Sequence, residues 1–222
     1  MGSTRLSIPI AFGRGVMLVA VIATISGTGC AEAPPVPSRG ERVRAVCPVV
    51  EEHDYYFPEE SIVVADADRD LERRLFLSNY LREAGVPSLS CGDVPDTYRL
   101  TWIGGYNEVT LVVTVNRSSA TAVQFLPFNV ADRTVSHRTS KPISAADFRT
   151  ISTCVESAAF WTSDAYRVFE SEGRSWTFEG RRGDSYRALT RTHPELNLAN
   201  VAKLLVELSG MAVPANMTTR DK

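Results

Sequence analysis

The chain has 222 residues, 44 % of them hydrophobic, with 24 basic side chains against 26 acidic. That is enough for one good core, and its charges are interspersed with no basic block beyond pairs such as Arg73-Arg74 and Arg181-Arg182, which argues against nucleic-acid binding. The four cysteines and three histidines fit no zinc spacing and contain no CxxC, so neither a metal, a redox dithiol nor a cofactor is expected.

The N-terminus reads as an address. Arg5 and Arg14 are the only charged residues before Glu32, and Val16–Ile25 is a ten-residue apolar run followed by Ser26-Gly-Thr-Gly29. A basic head, a short apolar stretch and small residues make a secretory signal, and the run is far short of the ~20 residues of a membrane span. Gly27-Thr28-Gly29-Cys30 resembles the bacterial lipoprotein signal, with Gly27 where an aliphatic residue is usual. The resemblance implies a signal peptide over 1–29 and diacylglyceryl attachment at Cys30. It also implies three acyl chains on the mature N-terminus, more than the two needed for stable anchoring. Ala31, which is not Asp, favours the outer membrane if the host is Gram-negative. The alternative is cleavage after Ala31-Glu32-Ala33, giving a soluble secreted or periplasmic protein. Without residues 1–29 the chain keeps 22 basic and 26 acidic residues, a net charge of −4.

Residues 30–42 contain three prolines and read as a semi-rigid tether. Residues 43–213 form one globular domain, and 214–222 a disordered tail. A helix is expected over 67–85, with Leu71, Leu75, Leu77, Leu81 and Ala84 on its apolar side and Gly85 as its stop. Three strands follow. Tyr98, Leu100 and Trp102 alternate with Arg99 and Thr101; Val109, Leu111, Val113 and Val115 alternate with Thr110, Val112 and Thr114; Thr121, Val123 and Phe125 make a third, shorter strand. Ser144 with Asp147 opens a second helix through a capping box, with Phe148, Ile151, Cys154, Val155 and Ala158 as its stripe and Phe160-Trp161 at its end. A hairpin comes next, Trp176 and Phe178 against Tyr186 to Thr190, turned at Arg182-Gly183-Asp184. The last helix runs from Asn197 as N-cap to Gly210 as stop. The order α-β-β-β-α-β-β-α predicts an α+β fold: an antiparallel sheet of about five strands with helices on one face.

Phe160-Trp161, Trp176-Thr177-Phe178-Glu179-Gly180, Tyr186-Arg187 and Leu208-Ser209-Gly210 together resemble a group of uncharacterised bacterial exported proteins. In that group a helix ends near Phe-Trp, a strand reads Trp-x-Leu-Glu-Gly, and a final helix ends near Leu-Ser-Gly. The resemblance spans about residues 75–211. It implies a shared fold and no activity, cofactor or site residue.

Cys47 precedes Pro48 and Cys91 precedes Gly92, both in loop-like sequence, whereas Cys154 lies on a buried helical stripe. In an oxidising compartment this predicts a Cys47–Cys91 disulfide and a buried Cys154 thiol, with Cys91–Cys154 as the rival pairing. Arg182-Gly183-Asp184 matches an integrin-binding tripeptide but sits where a hairpin turn is expected. Asp66, Asp68 and Asp70 open like a calcium loop, yet Leu71 and Leu77 occupy the sixth and twelfth positions, so they read as acids at a helix N-terminus. His53, His137 and His193 are isolated from one another and from every cysteine, and no serine lies in a GxSxG elbow.

Tyr55-Tyr56-Phe57 reads either as a partner-binding patch or as a lid over the core. Two functional classes follow. One is a non-enzymatic binding or structural module tethered by Cys30 to a membrane, with an envelope protein as partner. The other is a periplasmic hydrolase whose site is assembled across the sheet, with His137 and His193 as its first candidate bases. A soluble secreted inhibitor is the reading that goes with cleavage after Ala33.

Overall fold

A computed structural model of the chain describes residues 56–59, 61–62, 67–91, 94–105, 108–127, 133–163 and 174–217. The signal, Cys30, the tether, Cys47, His53 and Tyr55 lie outside these residues. Helix α1 (Ala67–Ala84) precedes strands β1 (Thr97–Ile103), β2 (Thr110–Asn116), β3 (Ser119–Phe125) and β4 (Val135–Pro142). Helix α2 (Ala145–Ser157), strands β5 (Ser175–Arg182) and β6 (Ser185–Arg191) and helix α3 (Leu196–Ser209) complete it. All strand pairs are antiparallel, in the order β4-β3-β2-β1-β5-β6. The class is the expected α+β, with six strands rather than five. The added strand is β4, whose residues are almost all exposed and so lack the apolar alternation that reveals a half-buried strand.

One sheet face carries the main core. Tyr98, Leu100 and Trp102 of β1 lie beside Leu111, Val113 and Val115 of β2 and Trp176 and Phe178 of β5. Upon them pack Phe148, Ile151, Cys154 and Val155 of α2 and Leu198, Val201, Ala202, Leu205 and Val206 of α3. The Trp176 and Phe178 rings stack at 6.3 Å, and Tyr98 stacks on Phe148 at 5.7 Å. Ser144 closes the expected capping box at the start of α2. Helix α3 begins one residue before Asn197, after Glu195, which makes no side-chain cap. Gly210 ends it at φ +76°. A short 3-10 turn, Ala215–Met217, places Met217 in this core, so the ordered domain runs past 213.

The opposite face carries a second core, which corrects the expectation of helices on one face. Helix α1 covers it with Leu77, Tyr80, Leu81 and Ala84 against Val112, Val123 and Phe125. Tyr80 meets Phe125 edge-on at 5.1 Å. Of the apolar side read from sequence, Leu77, Leu81 and Ala84 are buried as expected, but Leu71 and Leu75 are 40 % and 36 % exposed. Asp70 and Arg74 are buried instead, joined at 2.6 Å, because Asp70 also accepts from the Ile62 N–H and Arg74 reaches the Phe57 carbonyl. The pair seats the preceding segment on the helix, and its geometry outweighs the leucine periodicity.

Two turns show how backbone conformation sets packing. Both α1 and α2 end in a Schellman motif: Gly85 N–H and Val86 N–H bond back to Arg82 and Leu81, and Ala159 N–H and Phe160 N–H to Glu156 and Val155. Gly85 takes the left-handed position at φ +66°, but at α2 that place is held by Ala159 at φ +53°. The turn drives Phe160 against Gly180 of β5, where a Cβ would stand 2.7 Å from the Phe160 ring and 3.2 Å from Trp161. Ala159→Gly is therefore expected to raise stability by up to about 1 kcal/mol, by relieving the left-handed alanine. Gly180→Ala is expected to lower it by about 1–3 kcal/mol through overpacking. Urea midpoints that move together, or in the reversed sense, would contradict this account.

Candidate functional site

The second sheet face changes character across its width. Its β2–β3 half is apolar, whereas the β1–β5–β6 half carries charge and hydroxyls. Arg99 and Glu179 face each other directly across β1 and β5, and both side chains are fully buried. Arg99 Nη1 is 3.4 Å from Glu179 Oε2, Nε donates to Thr114 Oγ1 at 3.2 Å, and Nη2 donates to the Pro87 carbonyl at 2.6 Å. The second Glu179 oxygen accepts from the Tyr186 hydroxyl at 3.2 Å. Arg138 and Arg181 donate in the same way to the carbonyls of Ala84 and Leu89. Three strands thus each send an arginine to the end of α1 or the loop after it, where carbonyls need donors.

Burial pushes the Glu179 carboxyl above its ordinary 4.5, with the Arg99 charge and the Tyr186 and Arg99 hydrogen bonds offsetting only part of the shift. Burial, then the Glu179 charge, lifts the Tyr186 phenol well above 10, so it remains a donor. Both carboxylate oxygens are occupied and the side chain meets no solvent, so this constellation locks the loop and the sheet together and offers no face to a substrate.

Further along the same face lie Thr101, Thr177 and Thr190 in one row and Thr110 and Ser175 in the next, all fully buried. Thr177 and Thr190 share a hydrogen bond. The hydroxyls of Thr101 and Thr110 have no hydrogen-bond partner among the described residues. Arg73 of α1 donates to Ser175, and burial lowers its guanidinium to about 10, with Tyr80 acting the other way.

The residues singled out from sequence do not converge. Phe57 is fully buried in the second core and Tyr56 half-buried, its carbonyl accepting from Ser88 and Ser90 and its N–H bonded to Ser78. The aromatic cluster is therefore a lid where it is described, and Phe57 presents nothing to a partner. Tyr55 lies outside the described residues. His137 is exposed on β4, and His193 is exposed just after β6, at the opposite edge of the sheet. Five strand spacings separate these edges, roughly 24 Å, so the two imidazoles cannot serve one site. Gly183 and Asp184 form the two-residue hairpin turn, with Gly183 at φ +56°, as a type II′ turn requires. Asp70, of the calcium-like triplet, is taken up by Arg74 and Ile62.

Cysteine chemistry is also redistributed. Cys154 is disulfide-bonded. Cys91 keeps a thiol, with the Ser90 hydroxyl 3.8 Å from its sulfur. The expected Cys47–Cys91 pair and Cys154 thiol are thereby corrected. A cysteine on an amphipathic helix reads from sequence as a small core hydrophobe, which hid its role.

What sequence reasoning missed is β4. It is an eight-residue edge strand with only Thr139 partly covered, whereas Ala188 to Arg191 of β6, at the other edge, are buried. The stretch 133–142 contains Arg133, His137, Arg138 and Lys141 and no acid. Its basic residues without an apolar pattern are the one signal that a search for exposed edges could have used. Compared with family models and with curated proteins, the chain matches none.

Two outcomes test this description. Because the Glu179 carboxyl is raised, its contribution to stability is complete below about 4.5 and is lost as pH rises through its folded value. The stability of the natural protein relative to Glu179→Gln should thus fall as pH rises from about 4.5 through the raised folded-state value. Asp96 and Asp147, held below their ordinary values, affect both proteins alike and cancel. A pH-independent difference in urea midpoint would remove Glu179 as the titrating group. Separately, iodoacetamide on the denatured, unreduced protein should modify Cys91 and spare Cys154, as read by peptide mass. Labelling of Cys154 would refute the disulfide.

Proposed function

We propose that this chain is a bacterial envelope lipoprotein, held to the membrane through Cys30, whose domain is a non-enzymatic binding or structural module. The anchor half rests on the apolar run Val16–Ile25 leading into Thr28-Gly29-Cys30. The module half rests on one geometric observation: the two imidazoles that a hydrolase reading would use stand at opposite edges of the sheet. The carboxyl of the strands, Glu179, is spent on Arg99 and Tyr186. Both sheet faces are given over to holding helices, and recognition falls to what is left open. We also read residues 75–211 as sharing the fold of the uncharacterised exported group. The packing of Phe160 and Trp161 on Gly180 supplies a physical reason for two of its short motifs to occur together.

The test is made in a bacterial host that processes lipoproteins. The natural chain should pellet with membranes and carry an intact mass fitting an acylated polypeptide that begins at Cys30. Cys30→Ala should move it to the soluble fraction, with stability unchanged. A natural chain recovered soluble and unacylated, beginning at Pro34, would overturn the anchor and favour a diffusible inhibitor or enzyme. The module reading stands or falls separately, on a saturable crosslinked partner at the membrane.

A further inference from the structure

We propose that β4 is a docking edge that takes an extended, acidic segment of another protein as a seventh strand of the sheet. The inference rests on the binding-module reading and names the surface and the chemistry of its partner.

The first ground is position. Strand β4 pairs with β3 on one side only, from Ser119↔Pro142 to Phe125↔Val135, and Leu126 N–H continues the ladder to the Thr134 carbonyl. Its other side is the edge of the sheet. A strand there carries outward N–H and C=O groups over its length, about 26 Å for eight residues. The opposite edge does not offer the same surface, because the second half of β6 is buried. At the start of β4, Val135 and the adjoining Leu126 are 37 % and 39 % exposed, an apolar foothold beside the open ladder.

The second ground is charge. Residues 133–142 hold Arg133, Arg138 and Lys141 with His137 and no carboxylate, on a mature chain whose net charge is −4. His137 and Lys141 fall on one side of the pleat and Arg138 on the other, so either face of an added strand meets a cation. Each of the three arginine and lysine side chains is held near the strand. Arg133 lies over the Tyr80 ring at 5.3 Å, Arg138 donates to the Ala84 carbonyl, and Lys141 crosses Gly210 at the end of α3. None of these contacts is to an acid, so their charges remain uncompensated by the groups that position them.

The same pattern selects against a second copy of this chain. Two β4 strands paired across a two-fold axis would bring the basic set of one against the basic set of the other, and like charges facing each other across strands are unfavourable. An acidic strand satisfies backbone and side chains at once, which is the mode of β-augmentation.

The probe is a capped peptide of the same length as β4, alternating Glu and Thr, with its Lys–Thr counterpart as control. The acylated or soluble full domain is followed by amide hydrogen exchange. The Glu peptide should slow exchange across residues 135–141 by roughly tenfold once its concentration exceeds its Kd by roughly that factor. The Lys peptide should not. Raising ionic strength from about 0.1 M to 1 M, which shortens the screening length from about 10 to 3 Å, should weaken the effect. His137→Glu with Ser140→Glu, at two exposed positions for which no side-chain contact is described, should abolish it while leaving exchange in the core unchanged. Protection by both peptides alike would overturn the acidic partner. Protection confined to another element would overturn β4 and leave the binding module standing. No protection anywhere, or β4 protection that appears with protein concentration alone, would overturn the proposal. Only the absence of any crosslinked partner at the membrane would bring down the broader reading.

Discussion

The polar half of the second sheet face is arranged around the buried ion pair of Arg99 and Glu179. Arg99 and Glu179 are register partners on the neighbouring strands β1 and β5 and neither meets solvent. A buried pair of this kind brings little net stability against an apolar replacement, but losing one member strands the other at a cost of about 3–5 kcal/mol. The pair therefore fixes arrangement more than it adds free energy. Glu179 needs a second donor, and Tyr186 on β6 supplies it. Arg99 has donors left over, and they reach Thr114 on β2 and the Pro87 carbonyl beyond α1. One charge pair thus ties β2, β1, β5, β6 and the loop after α1 into a single register.

That constraint explains what was legible in the sequence and what was not. The main core could be read directly: Tyr98-x-Leu100-x-Trp102, the α2 stripe from Phe148 to Val155 and the α3 stripe from Leu198 to Val206 all follow simple periods. The other face could not. Arg99, Thr101 and Glu179 occupy the positions that alternation assigns to solvent, yet all are buried. A polar residue facing water and one facing a buried network look the same in a one-dimensional pattern. The same ambiguity turned α1, because Asp70 and Arg74 look like surface residues and Leu71 and Leu75 like core. Helices on both faces follow once the polar face is seen to need a cover.

Short motifs that seemed only to mark element ends prove to be parts of one contact. Ala159 accepts a left-handed backbone that glycine would enter at less cost, and in doing so swings Phe160 onto Gly180. Gly180 leaves out the side chain that would block the ring, and Glu179 beside it belongs to the ion pair on the other face. Adjacent residues on β5 therefore serve opposite sides of the sheet, as the two-residue period of a strand dictates. Cys154, on the helix ending in that turn, adds a covalent link to the same region.

The two edges of the sheet meet a problem that every open sheet has, and they meet it differently. The second half of β6 is covered, so its backbone is withdrawn from competition. Strand β4 is left bare, and protection there falls to charge: three fixed cations and an imidazole without an acid. Charge is a weaker guard than cover against strands in general, but it discriminates. It turns away copies of itself, and it leaves the edge open to a strand of opposite sign. Stability alone would be served better by burying this edge. An edge that is long, bare and single-signed is the form expected where the sheet is to be extended by something else.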